Sequence, residues 1–228
     1  MHGFLRQTAA IAAKDLRSEI RTKESINAAV SFALVILVLF SFVLDLADPE
    51  MLRAMSGGLL WLVFAFAGAL ILNRSFSREL PNDCLDALVA SPVSGAALFL
   101  GKAIANFTLL LIVEAVCLPA FGILYNQRWT GHLAWLAAVM LLATWGITVI
   151  GTVFSALTVN LRLRELMLPT LIYPMMIPAL MAAMKLTTLL ISGEAIGGED
   201  WIWFRLLIGF DIIFTSLALA LVEVVLVS

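Results

Sequence analysis

The chain has 228 residues, 62% of them hydrophobic and 13% charged, with a net charge of −2. A soluble domain carries about 25% charged residues, so an ordinary water-soluble fold is excluded. No basic stretch points to nucleic acid, and Cys84 and Cys117 form neither a disulfide framework nor a metal-ligand spacing.

The first 25 residues are charged and lack the apolar core of a cleavable signal peptide. Phe4, Leu5, Ala9, Ile11, Ala12, Leu16 and Ile20 fall broadly along one helical side. Arg6, Lys14, Arg17 and Arg21 lie mostly on the other. That pattern predicts an amphipathic helix over 1–25 lying in a membrane interface, with a solvated helical arm as the alternative.

Long apolar runs follow. About 20 apolar residues match the roughly 30 Å hydrocarbon core of a bilayer. In lipid every backbone polar group must be satisfied internally, so runs of this length are helices, not barrel strands. Spans are expected at 26–44, 54–72, 103–125, 133–159, 166–191 and 206–227. The fifth is expected to be broken up by Pro169, Pro174 and Pro178, which remove ladder donors. Hinge and packing roles are both open for it.

Three segments on one side hold ten of the 14 cations: Arg6, Lys14, Arg17, Arg21, Lys23, Arg74, Arg78, Lys102, Arg162 and Arg164. The other side holds Arg53, Arg128, Lys185 and Arg205. The positive-inside rule then places both termini in the cytoplasm, in keeping with an even number of spans. Trp129, Trp135, Trp201 and Trp203 mark the outer boundary, and His132 among them reads as an interfacial residue, with ligation of a heme iron or binding of a lipid headgroup as the alternatives.

Between spans two and three stands "SRELPNDCLDALVASPVSG". Asn82 or Asp83 can cap a first turn, and Asp83 and Asp86 suit the positive end of a helix dipole. Leu85, Leu88 and Val89 make one apolar stripe at i, i+3 and i+4. Ser91-Pro92 stops the helix, and Ser94 reads as a cap for the next one. A two-turn helix over 83–90 is expected on the cytoplasmic face. It either rests at the lipid boundary or docks into a groove on a soluble partner.

Intramembrane charge marks candidate functional positions. Glu114, in "LLLIVEAVCLPAF", is the clearest and would face either a substrate path or a helix partner. With Pro169, Pro174 and Pro178 it forms the candidate gating or pathway set. No GxxxxGK[ST] loop is present, so the chain does not hydrolyse nucleotide by itself.

Two stretches carry a family resemblance: "LNRSFSRELPNDCLDALVASP" with the later "FLGK", and "ALTVNLRLRELMLPTLIYPMMIPALMAA". With six spans and an N-terminal interfacial helix, the chain resembles the heme exporter protein B (CcmB) family, membrane subunits of ABC transporters in cytochrome c maturation. It departs from the family pattern at Asn82-Asp83, where Asp-Gly is usual, and at Glu165. The resemblance implies an all-α polytopic membrane protein of ABC-2-type exporter permease architecture, forming one permease domain over 1–228. It implies that 83–90 is a coupling helix seated in a cleft of a CcmA-type ATPase. Leu85, Leu88 and Val89 would anchor it and Asp83 and Asp86 rim it, with Arg162, Arg164 and Glu165 in a second contact.

The resemblance further implies a second copy of the chain, CcmC-like and CcmD-like membrane proteins and a CcmE-like periplasmic heme chaperone. ATP and Mg would sit on the partner ATPase, and heme is the pathway's substrate. The location implied is the bacterial inner membrane. Competing readings are an ABC-2-type permease for a lipid or glycan, a membrane-bound lipid transferase, and a scaffold. The transferase would need acids and histidines clustered at one membrane face.

Overall fold

The structure, a computed structural model, describes residues 2–44, 49–79, 93–126, 131–158 and 164–227. The described residues form seven α-helices, numbered here in chain order. They are α1 (His2–Thr22), α2 (Glu24–Val43), α3 (Pro49–Asn73) and α4 (Gly95–Leu124), then α5 (Leu133–Thr158), α6 (Arg164–Ile191) and α7 (Asp200–Val227). A 3₁₀ turn, Ser77–Glu79, follows α3. Six of the helices, α2 to α7, are long and apolar enough to cross a membrane. The protein is therefore a polytopic helical membrane protein.

Helix α4 begins at Gly95, where the Ser94 side chain accepts from the Ala97 N–H at 3.2 Å. It starts eight residues before the expected span, because its first two turns pack on α1 rather than entering lipid. Likewise α7 begins at Asp200, and Trp201 and Phe204 of its first turns pack edge-to-face with Trp135 of α5 at 5.5 and 5.6 Å. This aromatic cluster closes the end of the bundle opposite α1.

Lipid tails are as apolar as leucine, so association between these helices rests on close packing and hydrogen bonds. Helix α3 is the most buried of the candidate spans and touches α2, α4, α5 and α6. Its Trp61 is fully buried and donates from Nε1 to Thr187 Oγ1 of α6 at 2.9 Å. One turn earlier Gly57 brings the two backbones together: a Cβ there would stand 2.9 Å from the Thr188 main-chain nitrogen. Asn106 of α4 bonds Thr152 of α5 at 3.1 Å, Trp145 of α5 bonds Thr215 of α7 at 3.0 Å, and Tyr125 donates to the Leu37 carbonyl of α2 at 2.8 Å.

The expectation that prolines break the fifth span is corrected. Helix α6 runs uninterrupted from Arg164 to Ile191 with Pro169, Pro174 and Pro178 inside it. Pro174 and Pro178 lie on its exposed side, where a missing donor and a ring disturb no neighbouring helix. Buried Leu168, Ile172, Met176, Ala179, Ala183 and Leu186 hold the opposite side in the core. Neighbouring helices commonly sustain proline-bearing spans in this way.

Candidate functional site: an ion-paired frame at the basic end of the bundle

Helix α1 is not a free arm. Its Thr8, Ile11, Ala12 and Glu19 are buried and Asp15 is half-buried. Gly101 of α4 permits this approach, since a Cβ there would stand 2.7 Å from Ile11 Cβ and 2.9 Å from the Thr8 carbonyl oxygen. The sequence pattern puts Leu5 and Ile20 on the same apolar side as Ile11. The structure separates them, because both remain more than 60% exposed.

The acids of α1 point into the bundle. Lys102 of α4 is completely sealed from solvent and donates from Nζ to Asp15 Oδ2 at 3.1 Å, Glu79 Oε1 at 3.1 Å and the Ser75 carbonyl at 3.0 Å. The Phe76 ring lies 4.9 Å from the same nitrogen. All three ammonium hydrogens therefore have an oxygen, as a buried charge requires. Lys14 closes the network from outside, pairing with Asp15 at 3.1 Å and with Glu79. Beside it Asn106 donates to Ser75 Oγ at 2.8 Å.

Glu19 joins three elements. Its Oε1 accepts the N–H groups of Ser25 and Ile26, at 2.7 and 3.0 Å, in the first turn of α2. Its Oε2 pairs with Arg78, which also donates to Ser25 Oγ. Lys23 makes the sharp corner between α1 and α2, with φ at 54°. Burial pushes the Glu19 carboxyl up, but the Ile26 N–H, the Arg78 guanidinium and the Ser25 N–H outweigh it and hold its pKa below the ordinary value. A small cavity of about 130 Å³ opens beside this frame, lined by Lys14, Asp15, Arg74, Arg78 and Asn106 among others. Its wall carries cations and carboxylates together, so it has no strong preference for one sign of ligand.

The frame holds the two described edges of the segment between α3 and α4. Glu79 and Arg78 stand immediately before that segment, and α4 leads out of it. The expected short helix over 83–90, with Asp83, Leu85, Asp86, Leu88 and Val89, lies outside the described residues, as does Arg162. Arg164 and Glu165 fall in the first turn of α6. Glu114 lies within α4, 2% exposed, and accepts a hydrogen bond from Thr144 Oγ1 of α5. Its second oxygen and both oxygens of buried Asp211 have no hydrogen-bond partner among the described residues. Pro169 is half-buried near the start of α6, while Pro174 and Pro178 are exposed on it.

Sequence reading missed the frame itself. A signal was present: Asp15 and Glu19 lie one turn apart and on the same side as Thr8 and Ile11. Acids on a buried stripe demand cations from elsewhere. Nothing local identifies those as Lys102 and Arg78, which lie 87 and 59 residues away.

Fold and site together define a six-span helical membrane protein with an amphipathic surface helix ion-paired to one end of its bundle. The chain belongs to the CcmB protein family, whose model matches residues 6–224. It is similar to heme exporter protein B of Rhodobacter capsulatus, with 30% identity over 82% of this chain and 85% of the relative. Heme exporter protein B of Paracoccus denitrificans is 29% identical over 75% and 78%, and that of Pseudomonas aeruginosa 28% identical over 88% of each.

Proposed function

We propose that the chain is the permease subunit of an ABC transporter in cytochrome c maturation. It couples ATP hydrolysis on a partner ATPase to heme export, or to release of a heme-loaded periplasmic chaperone. Family membership and the relatives' shared name support the heme pathway. The observation that carries the coupling role is the Lys102 network. It ties α1, the 3₁₀ turn after α3 and α4 into one unit, and the turn and α4 flank in sequence the segment expected to hold the coupling helix.

On this reading the ATPase cleft grips Leu85, Leu88 and Val89. Closure of two ATPase subunits on ATP then displaces the gripped segment. A slack attachment would absorb that motion. Ion pairs at Glu79 and Lys102 instead pass it to α3 and α4 together, and through α3 to α6. The assembly comprises two copies of this chain, two CcmA-type ATPases and CcmC-like, CcmD-like and CcmE-like partners. It lies in the inner membrane with both termini of this chain in the cytoplasm. Heme is the pathway's substrate.

Co-expression with the candidate ATPase tests the reading. Leu85→Asp/Leu88→Asp should insert normally yet no longer retain the ATPase. Equal retention, with unchanged ATPase activity and cytochrome c maturation, would overturn it.

A further inference from the structure

Helix α1 contains two acids, Asp15 and Glu19, and its bundle contacts turn both inward against Lys102 and Arg78. The outward charge that remains is basic. Arg6, Arg17 and Arg21 are exposed, and none of the ion pairs among the described residues uses them. At 100° per residue the three share one sector, extending about 22 Å along the helix. Between that sector and the bundle runs an exposed apolar flank of Leu5, Ala9 and Ile20.

We propose that this face of α1 binds the anionic lipid headgroups of the leaflet at its end of the bundle. The apolar flank enters the acyl boundary and the three arginines take the phosphates. Two observations favour a membrane surface over an acidic protein. The flank and the arginine row run side by side along the helix, as a layered interface requires. And α1 turns at Lys23 directly into spanning α2, so it lies at the height of the headgroups. Arginine suits the role because its planar fork meets phosphate oxygens in pairs. The acids of α1 would repel such a surface if exposed, and the ion-paired frame removes them from it.

Native mass spectrometry of the full chain in detergent, titrated with phosphatidylglycerol or phosphatidylcholine, tests this. The wild type should prefer phosphatidylglycerol. Arg6→Gln/Arg17→Gln/Arg21→Gln should weaken its binding at least about tenfold and leave phosphatidylcholine unchanged. The matching Arg→Lys triple variant should keep the preference. If the triple-Gln chain does not fold, Arg17→Gln and Arg21→Gln singly should each weaken binding about threefold. Unchanged phosphatidylglycerol affinity in the Gln variants would overturn the proposal. So would loss of ATPase retention with lipid binding intact, which would make this a protein-docking face. The lipid readout does not depend on the coupling role proposed above.

Discussion

Lys102 of α4 and Asp15 of α1 meet at 3.1 Å, the lysine with no exposure and the aspartate with 17%. The pair converts a surface helix into part of the bundle. Net attraction is the smaller part of its value. The larger part is that removing either member strands the other as an unpaired buried charge.

Lys102→Met should therefore destabilise the protein by about 3 kcal/mol, since Asp15 and Glu79 would keep only Lys14 between them. Lys14→Met should cost under about 1 kcal/mol, because Lys14 is 47% exposed and its partners retain Lys102. Thermal unfolding of both variants in detergent measures the contrast. Equal losses would show that burial of Lys102 contributes nothing special.

A pH-dependent contribution is expected from Glu19. Its pKa is lowered in the folded protein, so its stabilisation is fully present above the unfolded value, about 4.3, and is lost as pH falls through the folded value. Glu19→Gln should cost about 2 kcal/mol at pH 7, because Arg78 and the first turn of α2 lose a charged acceptor. The gap between wild type and variant should close as the solution is acidified below about pH 4. A gap independent of pH would assign the loss to shape rather than charge.

Close packing of α3 on α6 predicts a position-specific effect of one methyl group. Gly57→Ala would press a Cβ on Thr188 Oγ1, the Met184 carbonyl oxygen and the Thr188 nitrogen. The last two are main chain, so the helices must separate, at about 1–3 kcal/mol. Adding Thr188→Ala should recover little. Gly58→Ala meets nothing within 4 Å and should be neutral or slightly stabilising. Melting temperatures of the three variants decide this, and equal behaviour at 57 and 58 would refute the packing account.

Sequence alone carried much of the fold. Six apolar runs could be counted because a bilayer imposes length and apolarity residue by residue, with no reference to neighbours. Ser94 was legible as a cap because its partner is three residues away. Continuity of the proline-bearing span was not legible, for the complementary reason. A proline's local effect is destabilising, but continuity of α6 depends on α3 and α5 packed along it.

The basic-amphipathic character of α1 was determined by the sequence, since charge and apolarity alternate within a few turns. Which of its sides meets the bundle was decided only in the folded chain. Gly101 admits Ile11, Lys102 and Arg78 take the two acids, and Leu5 and Ile20 are left outside. Those partners lie 59 to 90 positions along the chain from the residues they meet. No local pattern encodes pairings at that range, and only the packing of α1 against α4 and the turn after α3 brings the charges together.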